Sequence, residues 1–300
     1  MATTPIGADP EAEVRRALPS LHELGADLLV LSPARRALLV GRPFVLGAAY
    51  IGFAAAGLWL PALVCLALCF PSVITAVHDA THANLGVRRR TNDRLLSVLA
   101  TVIFTSGHAV QATHRAHHRH LLSADDPEGY VDQLPMWRAF VEGPIYQYRL
   151  WQWARASHPE LRRTVGREAL GHVVLGIGSV AVLPWTIVPF VWTVVMLAGT
   201  TVFPVFGVKL VHDGRAEHAI DRSRTFRSRL LQFLVAGTLY HREHHLFPRV
   251  PTPHCAELAR RLAPHLAAIR ASATDPRRPS RGPWRSSGSW QRRGTRRSAA

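Results

Sequence analysis

Two long stretches without a charged side chain set the plan of this sequence. They are residues 43–77 and residues 169–208, the second holding one histidine, His172. Each is about twice the ~20 apolar residues that one bilayer crossing requires. Each therefore reads as a membrane hairpin, one turning near Leu60-Pro61 and the other near Pro184-Trp185. The pattern predicts an all-α membrane protein with four transmembrane helices, over residues 44–59, 61–77, 169–183 and 185–206. Residues 1–42 read as a cytoplasmic N-terminal segment with short amphipathic helices over 10–18 and 21–30. Residues 43–270 form the membrane domain, and residues 271–300, rich in Pro, Ser, Gly and Arg, read as a disordered basic tail.

Shorter patterns fill the space between the hairpins. Residues 95–109 are apolar but too short to span, and Gly107-His108 interrupts them, which predicts an interfacial or re-entrant helix. Trp137, Phe140, Tyr146, Tyr148, Trp151 and Trp153 crowd one segment, a density that suits the bilayer interface. A basic helix is expected over 225–238 and an amphipathic one over 257–269. Pro248, Pro251 and Pro253 stop the helix that precedes them.

Charge orients this plan. Lys and Arg total 36 against 20 Asp and Glu, a net charge of +16. Both proposed hairpin turns are uncharged, whereas Arg88, Arg89, Arg90, Arg115, Arg119, Arg162 and Arg163 lie on the opposite side. That is the positive-inside arrangement, which puts both termini and the polar cap in the cytoplasm. The basic tail fits contact with anionic lipid, and no nucleic-acid partner is expected. Three cysteines, with no CxxC, give no disulfide or iron–sulfur framework. The opening residues lack the order of a secretory signal peptide.

The 17 histidines change the picture most. HDATH places His78 and His82 at i, i+4. HRAHH places His114, His117 and His118 at i, i+3, i+4, and HREHH repeats that spacing with His241, His244 and His245. On a helix each set occupies one face. Eight imidazoles exceed the positions around one metal, so the clusters imply two. Imidazole suits Zn, Cu, Fe and Ni alike, although a closed zinc site would need only four ligands per ion. Asp79, Asp125, Asp126 and Glu243 lie within or beside the clusters, where a carboxylate would accept the other ring N–H of a ligand. His120 follows the second cluster out of register. His22, His108, His158, His172, His254 and His265 are isolated.

HxxxH, HxxHH and HxxHH, in this order around two apolar hairpins, resemble the integral-membrane fatty acid desaturase superfamily over residues 40–265. That superfamily includes acyl desaturases, lipid hydroxylases and carotenoid ketolases. HREHHLFPRVP is most similar to acyl-lipid desaturases, while HDATH, HHRH with ADDP, and FGVKLVHDG are also similar to carotenoid ketolases. The resemblance implies an oxidoreductase with a cytoplasmic di-iron centre of two iron ions and O2 as co-substrate. It implies a ninth ligand near the end of the fourth span, which falls on His212 with His218 in reserve. Asp79, Asp126 and Glu243 would support the ligands. The expected reaction is desaturation of a fatty acyl lipid, with ketolation or hydroxylation of a carotenoid or lipid as the alternative. No GxGxxG, CxxC or HPGG motif supplies electrons from within the chain, so a ferredoxin or similar donor is the expected partner, docking on the arginine-rich face.

Overall fold

The computed structural model describes Val14 and residues 16–216, 218–235 and 237–273; the basic tail expected over 271–300 lies almost wholly outside them. Helices dominate, and no strand occurs among the described residues beyond two isolated bridges, His212 with Ser223 and Thr225 with Tyr240. The first hairpin joins α1 (Pro33–Ala55) to α2 (Trp59–Thr81). Pro33 opens α1, and the Ser32 hydroxyl caps it by accepting from Arg35 N. Gly57, at φ +74°, makes the turn, a backbone conformation that costs glycine nothing.

Three segments are long and apolar enough to cross a membrane, Ala26–Ala55, Trp59–Thr81 and Val188–Lys209. The third comprises α7 (Val188–Phe203) and a π-helical continuation, Pro204–Lys209. The helix expected as a further span, α6 (Arg162–Ala181), is not among them. Arg162, Arg163, Arg167 and Glu168 occupy its first two turns. The uncharged remainder of α6 is about 13 residues, roughly 20 Å at 1.5 Å each, short of a hydrocarbon core of about 30 Å. Its surface is nonetheless apolar, with Leu170, Val173, Val174, Ile177 and Val180 exposed.

Between the hairpins the chain dips inward and returns, as α3 (Arg89–Thr101), a corner, and α4 (Gly107–His120). The corner leaves helical carbonyls unpaired, and the neighbouring helices supply their partners. Trp192 Nε1 donates to Val102 O at 2.9 Å, Thr200 Oγ1 to Ile103 O at 2.7 Å, and His172 Nε2 to Thr105 O at 3.0 Å. Irregular backbone at membrane depth needs such partners, because lipid offers none. Glu168 gathers the donors on the other side, accepting from Ser97 Oγ and Ser106 Oγ at 2.7 and 2.5 Å and from His108 Nδ1 at 2.7 Å. Gly107 sits where an added Cβ would meet Leu96 O at 2.7 Å, so only glycine closes the V.

Four more helices are α5 (Met136–Ser157), α8 (Arg229–Leu234), α9 (His241–Leu246) and α10 (Cys255–Ala273), and a short one, Leu21–Leu24, precedes α1. The basic helix expected over 225–238 is reduced to α8 alone. Residues 225 and 226 are taken up instead in pairing with Tyr240 and Leu239. One core lies among α1, α2, α3 and α7, with Tyr50, Leu66, Leu96 and Met196 fully buried. A second, of Leu28, Phe247, Val250, Leu258 and Leu262, fastens α10 and the N-terminal turns beneath α9.

Candidate metal centre

Four structural pieces end at the same place, and each delivers histidines for a local reason. The last turn of α2 carries His78, and His82 caps that helix. The C-terminal half of α4 carries His114, His117 and His118 on one face. α9, stopped after Leu246, carries His241, His244 and His245. The π-helical turn ends at Lys209, and His212 comes three residues later. The nine rings form two groups of four whose ligand atoms all lie within 4.8 Å of one another: His78, His82, His114 and His244, and His117, His212, His241 and His245. His118 stands at the seam. Its Nε2 is 2.8 Å from His244 Nε2 and 3.2 Å from His114 Nε2, and its ring stacks 4.3 Å from that of His245.

The donor chemistry fits metal cations. His117 Nδ1 faces Asp126 at 2.7 Å and His212 Nδ1 faces Val208 O at 2.8 Å, so in both rings the proton is at Nδ1. Their Nε2 atoms then hold bare lone pairs, yet these atoms are 3.2 Å apart. His212 Nε2 is also 3.0 Å from His241 Nε2 and 3.1 Å from His245 Nε2. Lone pairs aimed at one point repel unless a cation lies between them. In the other group His82 Nε2 is buried without a hydrogen-bond partner. Protonation is no remedy, because burial works against the charged ring. It pushes His212 down to about 3, reinforced by nearby His117, and drives His82, His118, His241, His244 and His245 well below their usual range.

The carboxylates around the rings divide into two kinds. Asp126 accepts from His117 Nδ1 and from the backbone N–H groups of Leu122, Glu128 and Gly129. Burial alone would raise its pKa, but these donors hold it at about 2. Glu128 was not singled out by the sequence, yet it accepts from His114 Nδ1 at 3.0 Å and Thr113 Oγ1 at 2.8 Å. Asp79 is 3.4 Å from His78 Nδ1 and bonds more closely to Thr252, through its backbone N–H at 3.0 Å and its hydroxyl at 2.7 Å. It therefore ties α2 to the turn before α10. Glu243 accepts from Thr225 Oγ1 at 2.5 Å and touches no ligand ring in that bond. Asp125 is exposed, as is His120, and His218 begins the 3-10 turn Ala219–Arg222 outside both histidine groups.

Two neighbouring spaces with shared wall residues adjoin the rings. A cleft of about 90 Å³ runs along both groups, between Phe203, Phe206 and Gly207 on one side and residues 237–240 on the other. Deeper in the bundle, Ile74, Val77, Ile103, Leu150 and Phe203 line an inner cavity of about 70 Å³ that also touches His78 and His114. Ile74, Phe203 and Glu128 belong to both walls.

A family model described as fatty acid desaturase matches residues 57–275, a span that contains all nine clustered histidines. No curated protein matches the chain.

Proposed function

Because the chain belongs to the fatty acid desaturase family, we propose that it is a membrane-bound, O2-dependent di-iron enzyme that introduces a double bond into a fatty acyl chain. The observation that carries this reading is the convergence of eight histidines in two groups of four, of which His78 and His114 also line a largely apolar cavity. Bound there, the iron pair would supply oxygen activation and hydrogen abstraction from an unactivated methylene. The balance is –CH2–CH2– with O2, two electrons and two protons giving –CH=CH– and two waters. The electrons come from an external ferredoxin-like donor.

The protein's own part is placement. His78, His82, His114 and His244 hold one ion, and His117, His212, His241 and His245 the other, with His118 at the seam. Asp126 and Glu128 keep the ring protons on Nδ1 and so aim the Nε2 lone pairs inward. Ile74, Val77 and Phe203 hold the chain by apolar burial, about 0.8 kcal/mol per CH2, and keep water from the reacting carbon. Such walls fix position by depth. We place α6 across the membrane as a shorter companion of α7, with the histidines and both termini on the cytoplasmic side marked by the arginines.

Fatty acid profiling of an expressing host, with iron analysis of the purified protein, tests this. The expected result is a new unsaturated acyl species and two irons per chain. His117→Ala should remove the product and leave the protein in the membrane. An unchanged acyl profile beside ketolated or hydroxylated carotene in a β-carotene-producing host would overturn the desaturase reading.

A further inference from the structure

The excursion between Phe226 and Leu239 has a composition and a position that the reaction chemistry leaves unexplained. Its two ends are clamped together, Phe226 N donating to Leu239 O at 3.0 Å beside the Thr225–Tyr240 bridge. α8 forms between these ends, capped by Ser228, whose hydroxyl accepts from Leu231 N. It turns apolar side chains outward: Leu230 is 67% exposed and Phe233 62%, with Leu231 and Leu234 also exposed. A six-residue helix gains nothing from showing water such a face.

Its neighbours say what covers it. Arg42 of α1 donates to Phe233 O at 3.2 Å and places its guanidinium 5.4 Å from the Phe233 ring centroid. Thr75 of α2 donates to Val235 O at 3.4 Å. α8 thus lies against two membrane-spanning helices, near the cytoplasmic ends where lipid headgroups sit. The charge agrees: between Asp221 and Glu243 there are five arginines and no acidic residue, and Arg227 and Arg229 are exposed. Apolar residues outward with arginine at the edge is the pattern of a segment seated in an anionic leaflet.

The cleft along the histidines reaches the surface beside this excursion. Gly237, Thr238 and Leu239 form one of its lips. The other is the π-helical turn, where Phe206 lines the cleft and is still 57% exposed. Gly207 keeps that lip thin, since an added Cβ would meet the Phe203 ring at 2.5 Å.

We propose that α8 seats the lip of residues 237–239 in the bilayer and that the cleft beside that lip admits the acyl chain sideways, from an anionic phospholipid still in the leaflet. This rests on the desaturase reading and names the carrier. The headgroup stays at the surface against Arg227 and Arg229, and the chain passes between Phe206 and Leu239. A thioester arriving from water would have no use for a lip of this polarity.

The full-length, iron-loaded protein in lipid nanodiscs is the material for the test. A phosphatidylglycerol carrying a photoreactive group on its acyl chain should label peptides containing Phe206 and Leu239, an outcome that needs no turnover. Phe233→Asp should reduce that labelling about tenfold, by placing a charge where apolar burial is required. Arg227→Ala and Arg229→Ala should each raise the KM for phosphatidylglycerol about fivefold, the weight of one arginine at an anionic surface, with kcat unchanged. Labelling confined to other peptides, or conversion of the coenzyme A thioester in preference to the phospholipid, overturns the proposal while leaving the desaturase reading intact. Cleft labelling without any unsaturated product does the opposite: the lip stands and the reaction assignment falls.

Discussion

Asp126 and Glu128 lie two residues apart, and each holds the Nδ1 proton of a different histidine of α4. Asp126→Ala would free His117 to rotate and change tautomer, and iron affinity should fall roughly 10–100-fold, measured as iron retained per chain against a chelator. Glu128→Gln keeps an acceptor oxygen for His114 and should lose less than Glu128→Ala. Glu243→Gln should leave iron content unchanged, because that side chain serves Thr225. Sequence proximity to a cluster therefore separated these carboxylates poorly. Glu243 lies inside HREHH and bonds Thr225, whereas Glu128 comes fourteen residues after His114 and bonds its ring. The chain reverses between them, through Asp126 and a left-handed Leu122 at φ 58°, and helical spacing does not reach across a reversal. Within one helix the same spacing is informative, which is why the three histidine clusters were legible. Even His212 came from likeness to a family, since no periodicity links it to the others.

At the scale of elements, long apolar runs were legible and tertiary hydrogen bonds were not. The first hairpin and α7 follow the uncharged stretches. α6 departs at its charged start, where Arg162, Arg163 and Arg167 are exposed and Glu168 is held inside the fold by Ser97 and His108, 71 and 60 residues away. Nothing local announces such a bond. Glu168→Leu should leave the α3–α4 corner with unmatched Ser106 and His108 donors, at about 1–3 kcal/mol for each buried group left unpaired. The expected signature is a lower melting temperature of the detergent-solubilised protein. Trp192→Phe tests the other side of the corner, where Val102 O would lose its donor. Its effect should be smaller, because one bond is lost in place of several.

For the whole molecule, the metal-free state is where the cost of this architecture becomes visible. Several imidazoles are buried as neutral rings, so between the usual 6.5 and the value of about 3 at His212 the unfolded chain binds protons that the folded chain refuses. Stability of metal-free protein should therefore fall as the medium is taken from about pH 7 to about pH 5, because ∂ΔG/∂pH is positive when the unfolded state holds more protons. Metal-loaded protein should show a higher melting temperature throughout, since an ion that binds only the folded form stabilises by mass action. Chelation followed by a thermal scan at both pH values checks the sign.

The π-helical turn carries a further consequence. Leu210 N donates to Val205 O at 2.9 Å, five residues back, so this stretch holds one residue more per turn than the α-helix feeding it. Deleting Gly207 would let ordinary winding resume and leave His212 near its present angle, because the wide turn is what absorbs that residue. One residue added to the same turn meets no such slack and would swing everything downstream by about 100°, putting His212 out of phase with its three partners. The insertion should weaken metal binding at the His212 group and spare the His78 group, whereas the deletion should spare both.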